Sequence, residues 1–249
     1  MRYIIKINPA YEKYRDIIEN IIKKGKPANA EIIYEGRNLL YRTDLGDSKG
    51  IVKDFRKPHL INSYAYTTVR KSKAARSYEN ALKMLELGFD TPLPIAYGEV
   101  RKGLQLQESY YISAELTDAR EMRHWEEFDN ADTLVPAFAK EILRLHKAGV
   151  WHKDFSPGNI LYTGNETTGY KFHYVDLNRM KFGVHDREKL MSMFRSINLN
   201  PAETERLGRL YGEISGKDSE QMGKEALRQL DNYFSERKRK AAFKRLLKK

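Results

Sequence analysis

The chain has 249 residues, of which 41% are apolar and 32% are charged. This composition is typical of a globular protein with a sizeable buried core, and it excludes a disordered chain. The absence of cysteine excludes disulfides and thiolate metal sites, and it favours a reducing compartment.

The charge balance points to an acidic partner. The formal net charge is +11 and the sequence pI is about 9.5, so the candidate partners are nucleic acid, an anionic membrane face or a phosphorylated ligand. Lysines that are simply solvated explain the same charge equally well. The opening MRYIIKINPAYEKYRD lacks the features of a secretory signal, and no apolar run approaches the roughly 20 residues of a membrane-spanning helix. We therefore expect a cytoplasmic protein.

The first predicted elements are a strand and a helix. RYIIKI (2–7) predicts a short strand, and Asn8 with Pro9 then begins a helix that ends near Gly25. The apolar face of that helix consists of Ile17, Ile18, Ile21 and Ile22.

Strands and a second helix follow. EIIYEGRNLLYRTD (31–44) predicts two strands around a Glu-Gly-Arg-Asn turn, and GIVKDF (50–55) predicts another. Residues 71–87 have helical spacing, and Gly88 marks the end of that helix.

The second half of the chain is mainly helical. Two more strands are expected near 95–100 and at 108–116, before a helix at 133–148. A strand lies within 170–180, and most of 186–249 has helical patterning.

This order of elements, mostly strands and then mostly helices, predicts an α+β fold with two lobes. No internal repeat, low-complexity tract or long linker interrupts the chain, so we expect a single domain over residues 1–249. Its strand-rich N-terminal lobe would cover about 1–115, and its mainly helical C-terminal lobe about 118–249.

The stretch WHKDFSPGNILY (151–162) carries the residues best suited to chemistry. It places His152, Asp154 and Asn159 in an H-x-D-x-x-x-x-N pattern, and Asp176 follows an apolar strand in YVDLN. Phosphoryl transfer needs a carboxylate for the attacking hydroxyl and acidic or amide oxygens for magnesium. A hairpin between the motifs would bring Asn159 and Asp176 to one ion. The alternative is that these residues only form turns, and we expect His152 to be structural.

A kinase also needs a cation for the nucleotide phosphates. Lys53 lies in the predicted strand 50–55, where such a lysine is expected, and Glu79 in the following helix would keep it oriented. A solvated strand lysine and an exposed helix glutamate are the corresponding alternatives. Arg179 would either hold a substrate phosphate or form a structural ion pair.

With these residues the chain resembles the protein-kinase-like phosphotransferases. More closely, KDFSPGNILY followed by VDLNRM is similar to the bacterial lipopolysaccharide-core kinases, the Kdo and heptose kinase family. The likeness spans roughly Ala30 to Phe182. The resemblance implies a kinase fold with ATP between the lobes. It also implies Mg²⁺-dependent transfer of the γ-phosphoryl group to a sugar hydroxyl of the lipopolysaccharide inner core.

The resemblance further implies a role for each matched residue. Asp154 would be the base, Asn159 and Asp176 would bind Mg²⁺, and Lys53 with Glu79 would anchor the phosphates. The nucleotide would also contact two short segments, the loop Gly36, Arg37 and Asn38 and the connector Glu115, Leu116 and Thr117.

The sequence departs from the protein-kinase pattern at several positions. The nucleotide loop has one glycine, Gly36, instead of three, and Leu177-Asn178 follows Asp176 where Phe-Gly is usual. Lys153 replaces the arginine that reads a phosphorylated activation loop, and no Ala-Pro-Glu triplet follows. These departures favour a small-molecule or glycolipid kinase over a protein kinase.

Other functions are open as alternatives. A kinase for another small molecule or for a protein would share these motifs. A pseudokinase is a different class, but the retained lysine, base and metal ligands argue against it. A basic nucleic-acid-binding module is another, but the chain has no recognition motif, so nucleic acid is not favoured as a partner. The mixed tyrosines and basic residues of SYAYTTVR (63–70) are expected to pack.

The basic tail is a candidate membrane contact. SERKRKAAFKRLLKK interleaves Phe243, Leu246 and Leu247 with lysine and arginine, and such a helix suits an anionic membrane face. A solvated terminal helix explains the same pattern equally well. The expected substrate is an acidic glycolipid or sugar, which would be met at the inner face of the cytoplasmic membrane.

Overall fold

The computed structural model describes residues 1–56, 71–127, 130–197 and 199–246. The chain forms two compact units, one of Met1–Thr117 with Asp176–Asn178 and the other of Asp118–Val175 with Arg179–Lys249. The expectation for SYAYTTVR (63–70) lies outside the described residues. No helix within the described ranges is long and apolar enough to cross a membrane.

The first unit is built on a six-stranded antiparallel sheet with the strand order β1-β5-β6-β4-β3-β2. Its strands are β1 (Arg2–Ile7), β2 (Glu31–Glu35), β3 (Leu39–Asp44), β4 (Lys49–Asp54), β5 (Pro94–Lys102) and β6 (Gln105–Ala114). The strands expected from the sequence all form, with ends that differ by a few residues.

Helix α1 (Arg15–Lys24) covers one face of this sheet. It is preceded by a 3₁₀ turn at Pro9–Tyr14, where the Asn8 side chain accepts from Ala10 N–H at 3.2 Å. Isoleucines of α1 are buried in the core, and Gly98 of β5 lies so close to Ile22 that a Cβ there would clash with it.

The alternation of β4 sets the position of Lys53. Val52 is fully buried in the core, and Lys53, the next residue, is only half-buried. Because successive side chains of a strand point to opposite faces, Lys53 projects from the face opposite Val52. Phe55, two residues on, projects to the same side as Lys53 and is buried.

Helix α2 (Lys73–Glu86) matches the predicted helix at 71–87. Ser72 caps it, since its Oγ accepts from Ala75 N–H at 3.0 Å. Gly88 follows at φ 77°, a conformation that glycine adopts without steric cost and that ends a helix.

The second unit combines helices with a small sheet. Its helices are α3 (Ala131–Lys147), α4 (Arg187–Met191), α5 (Pro201–Ser215) and α6 (Ser219–Leu246). The strands β7 (Arg120–Glu121), β8 (Ile160–Asn165) and β9 (Gly169–Tyr174) pair in that order, and β8 with β9 is the hairpin expected between the two motifs. His124 and Trp125 lie in a 3₁₀ turn at Met122–Glu127.

Aromatic side chains form the core of this unit. Phe155 stacks on Phe138 of α3 with ring centroids 5.9 Å apart and on Tyr174 of β9 at 6.1 Å. Phe138 also packs on Phe172 at 5.2 Å. Since Phe155 directly follows Asp154 in the chain, this core fixes the backbone next to that carboxylate.

Candidate active site

The loop from Asp154 to Asn159 is closed by its own hydrogen bonds. Asn159 Nδ2 donates to Asp154 O at 2.8 Å, and Ser156 N–H donates to the same oxygen at 2.8 Å. The Asn159 N–H donates to Ser156 O, also at 2.8 Å, across a 3₁₀ turn at Pro157–Asn159. These bonds hold Asp154 and Asn159 in one compact loop.

His152 anchors the start of this loop. Its ring is buried, with Nε2 3.0 Å from Val175 O, while Nδ1 accepts from Asp154 N–H at 3.2 Å. A carbonyl oxygen can only accept, so Nε2 carries the proton and Nδ1 is the acceptor. Both ring nitrogens are therefore engaged by the protein, as expected of a structural histidine.

The Asp154 carboxylate is held by Arg179. Arg179 Nη1 donates to Asp154 Oδ1 at 2.7 Å and to Oδ2 at 3.1 Å. Of the two alternatives for Arg179, the structure contains the ion pair. The side chain of Asp154 keeps 31% of its surface exposed, so a hydroxyl group can reach the carboxylate.

Lys53 and Asp176, which are 123 positions apart in the chain, form an ion pair in the first unit. Lys53 Nζ donates to Asp176 Oδ1 at 2.6 Å. Their side chains are only 16% and 28% exposed. An ion of this kind is costly to remove from water unless it is paired, and Asp176 is the partner of Lys53.

The backbone of Asp176 adopts an unusual conformation. Its φ is 57°, in the left-handed region that costs a non-glycine residue energy. Two asparagines hold the turn: Asn178 Nδ2 donates to Asp176 Oδ1 at 2.6 Å, and Asn80 Nδ2 of α2 donates to Leu177 O at 2.7 Å. Strain maintained in this way is typical of functional sites.

Glu79 does not contact Lys53 in the described structure. Its two carboxylate oxygens instead accept from Lys71 Nζ at 2.8 and 2.7 Å. The expected pairing of Lys53 with Glu79 is thus replaced by Lys53 with Asp176 and Lys71 with Glu79. The participation of Glu79 in catalysis stays a prediction.

The predicted nucleotide loop joins β2 to β3. Gly36 N–H donates to Asn38 O at 3.0 Å, and the phenol of the exposed Tyr34 lies where a Cβ of residue 36 would be, so a larger residue at this position would have to displace that ring. Asn38 Oδ1 is buried and has no hydrogen-bond partner among the described residues. Arg37 is exposed at the tip.

The predicted connector begins where β6 ends. Glu115 N–H donates to Lys49 O at 3.1 Å, and its side chain accepts from Arg42 Nε at 2.6 Å. Because these groups of Glu115 are engaged, the contact with adenine would fall to the Glu115 carbonyl and to the backbone of Leu116 and Thr117. That contact stays a prediction.

The oxygen donors expected for magnesium suit the ion. Asn159 uses Nδ2 for the bond to Asp154 O, so Oδ1 is the amide atom that fits a cation, and Asp176 supplies a carboxylate. Val175 N–H donates to Asn159 O at 3.0 Å, and Asp176 is the next residue. Across the described ranges, no group of three His, Cys, Asp or Glu side chains is arranged to hold a metal ion.

Sequence reasoning missed the two asparagines that support Asp176. Asn178 had a weak signal, since asparagine side chains often form local hydrogen bonds in turns. Asn80 also had a weak sequence signal, because asparagine is a poor helix former in the middle of a helix. Neither signal names a partner, and the contact of Asn80 is with a residue 97 positions away.

Comparison with known proteins gives the family. A sequence profile of the lipopolysaccharide kinase (Kdo/WaaP) family matches residues 36–211. The chain is 22% identical over 166 residues to a 3-deoxy-D-manno-octulosonic acid kinase of Vibrio parahaemolyticus, covering 64% of this chain and 68% of the relative. It is 26% identical over 160 residues to the Vibrio cholerae kinase of the same name, covering 62% and 66%.

A solved structure shares the fold. It is that of WaaP in complex with acyl carrier protein, with a TM-score of 0.60 and 18% identity, covering 97% of this chain and 98% of that one. These findings confirm the predicted family resemblance and the kinase-like α+β fold. They also confirm that the enzyme phosphorylates a sugar hydroxyl of the lipopolysaccharide inner core, and a kinase of this kind uses ATP. The chain belongs to the lipopolysaccharide kinase (Kdo/WaaP) family.

Proposed function

We propose that this enzyme transfers the γ-phosphoryl group of ATP to a hydroxyl of 3-deoxy-D-manno-octulosonic acid (Kdo), with Asp154 as the base. The choice of Kdo over heptose follows the names of the two Vibrio relatives. The observation that carries the proposal is the 2.6 Å ion pair between Lys53 and Asp176. From the sequence, Lys53 was assigned to the phosphates and Asp176 to the metal, although the two residues lie in distant segments of the chain.

Lys53 is proposed to bind the nucleotide phosphates. It projects from the face of β4 that is opposite the core, and in the absence of nucleotide Asp176 compensates its charge. A lysine ammonium is a compact point charge with three donors, so it can exchange a carboxylate oxygen for phosphate oxygens without moving its backbone.

Asn159 Oδ1 and the Asp176 carboxylate are proposed to hold Mg²⁺. Amide and carboxylate oxygens are hard ligands of the kind that magnesium prefers, and one or two carboxylates with substrate phosphates are enough. When bound, the ion would neutralise charge on the phosphates. Asn178 and Asn80 keep the Asp176 turn in place for this role.

Asp154 is proposed to orient the acceptor hydroxyl and take its proton. As the hydroxyl oxygen bonds to the γ-phosphorus, the bond from that phosphorus to the bridging oxygen breaks and ADP leaves. Arg179 Nη1 contacts Asp154 Oδ2 at 3.1 Å, which is longer than its 2.7 Å contact with Oδ1. Oδ2 is therefore the oxygen that we assign to the hydroxyl.

The test measures ADP release and product mass with purified variants. Asp154→Asn should keep ATP binding and lower turnover by about 10²–10⁴-fold, the usual contribution of a positioned base. Asp176→Asn should lower both turnover and Mg²⁺-dependent ATP binding. Asp186→Asn is the matched control, because Asp186 caps α4 and asparagine caps helices equally well.

The acceptor is identified with a panel. Core oligosaccharides that end in Kdo, the same cores with heptose only, simple sugars and a generic protein are compared at equal concentration. Phosphate on Kdo alone supports the proposal, and phosphate on heptose alone overturns the choice of acceptor. Near-normal turnover by both aspartate variants on the true acceptor would overturn the assignment of the site.

A further inference from the structure

Two lysines of the first unit share one aromatic ring. Lys53 Nζ lies 5.4 Å from the centroid of the Phe55 ring, and Lys73 Nζ lies 5.7 Å from it. Aromatic rings attract cations within about 6 Å of the centroid. Two positively charged side chains therefore lie near the Phe55 ring, Lys53 of β4 and Lys73, the first residue of α2.

Lys73 has little to compensate its charge. It is half-buried, and within the described residues it forms no ion pair. The stretch 57–70 contains neither aspartate nor glutamate, so it offers no carboxylate either. Burial is the main cause of a lowered pKa for Lys73. The charge of Asp176 opposes this effect, and Arg37, Lys53 and Arg76 add repulsion from charges of the same sign.

The position of Lys73 on its helix adds to this cost. It is the first residue of α2, where the helix dipole is positive and a cation is unfavourable. A protein that places a half-buried lysine here, next to cations, loses stability unless an anion binds. Clusters of this kind mark functional sites.

Lys73 lies on the face of α2 that contacts the segment next to Asp176. Lys73 and Asn80 are seven residues apart, close to two turns of about 3.6 residues each, so they lie on one face of the helix. Asn80 Nδ2 donates to Leu177 O at 2.7 Å, and Asp176 is the carboxylate whose charge attracts Lys73. Lys73 thus faces the group that also holds Lys53.

We propose that Lys73 is a second phosphate-binding residue, which joins Lys53 on the β- and γ-phosphates of ATP. This inference rests on the proposed function. The phosphates would supply the negative charge that Asp176 provides only in part, and Arg37 of the nucleotide loop would lie near the same charge. Lys73 then explains why α2 begins with an electrostatically unfavourable residue.

The experiment compares the dissociation constants of ATP and adenosine, with Mg²⁺ present, for the full chain and three variants. Lys73→Met should weaken ATP binding by about tenfold to a hundredfold, as expected for a lost charged hydrogen bond, and leave adenosine binding unchanged. Lys73→Arg should keep most of the ATP affinity. Lys83→Met is the matched control, since the Lys83 side chain lies on the same helix, is 41% exposed and pairs with Glu86, and this variant should bind both ligands as the wild type does.

Stability without nucleotide gives a second readout. Lysine and methionine are similar helix formers, so Lys73→Met should fold, and its urea unfolding midpoint should be equal to or above that of the wild type because an unfavourable charge is gone. Unchanged ATP affinity, equal losses for ATP and adenosine, or a lowered midpoint would overturn the role of Lys73. A wild-type chain that does not prefer ATP over adenosine would contradict the proposed function itself.

Discussion

His146 of α3 is expected to make the stability of the enzyme depend on pH. The ring is buried, its Nδ1 lies 3.0 Å from Tyr211 OH, and it packs edge-on against Phe194 and Tyr211. Burial, followed by the charge of Lys217, lowers the pKa of His146 from 6.5 to about 4. The folded protein therefore keeps this histidine neutral where the unfolded chain takes up a proton.

The direction and size of this pH effect on stability follow from the two pKa values of His146. The contribution of neutral His146 to the free energy of unfolding is fully present above the unfolded pKa of 6.5. It is lost as the pH falls from 6.5 towards the folded pKa of about 4. At about 1.36 kcal/mol for each pH unit, the full loss is about 3 kcal/mol, and about 2 kcal/mol of it is reached by about pH 5.

Urea unfolding at about pH 7 and about pH 5 tests this. The wild type should lose about 2 kcal/mol more between the two pH values than His146→Phe, which keeps a ring but cannot titrate. His185→Gln removes an exposed histidine and should behave like the wild type. An equal pH-dependent loss in wild type and His146→Phe would refute the reasoning, whatever the stability of the variant at neutral pH.

Two further predictions concern the helical unit. Gly208 of α5 lies against α6, where an added Cβ would be 2.6 Å from Met222 O. Because a backbone atom cannot move aside, Gly208→Ala should lower the free energy of unfolding by about 1–3 kcal/mol in urea, and an unchanged midpoint would contradict this close approach. Phe243 lies in the basic segment 237–249 and is 61% exposed. Deleting this segment should weaken binding to phosphatidylglycerol vesicles, and added salt should weaken the binding of the full chain in the same way. Turnover on a delipidated core sugar should not change, and equal vesicle binding by both chains would mean a solvated helix.

The sequence was most informative where local pattern and chemistry coincide. The apolar run in GIVKDF predicted that Lys53 lies on a strand, and the VDLN motif predicted that Asp176 follows another, so both residues could be named before their contact was known. The hairpin of β8 and β9 was likewise visible from its turn residues. Such signals extend over a few residues, so they can be read from the sequence alone.

The partners of these residues were harder to predict. Helical spacing shows that Glu79 lies on α2 but leaves its exact direction open, and Lys71 just before the helix competes for the same carboxylate. The bond from Asn80 to Leu177 joins segments 97 positions apart. A contact of that kind depends on how the helix packs in three dimensions, which no local pattern records.

The left-handed turn at Asp176 limits which amino acids can replace this residue. At φ 57° most side chains cost about 1–2 kcal/mol, whereas asparagine and glycine are tolerated. A single base change converts an aspartate codon to either of those two. Members of the family that have lost the carboxylate in this way would keep the turn and a folded chain, and they would be recognised in genomes by asparagine or glycine at this position.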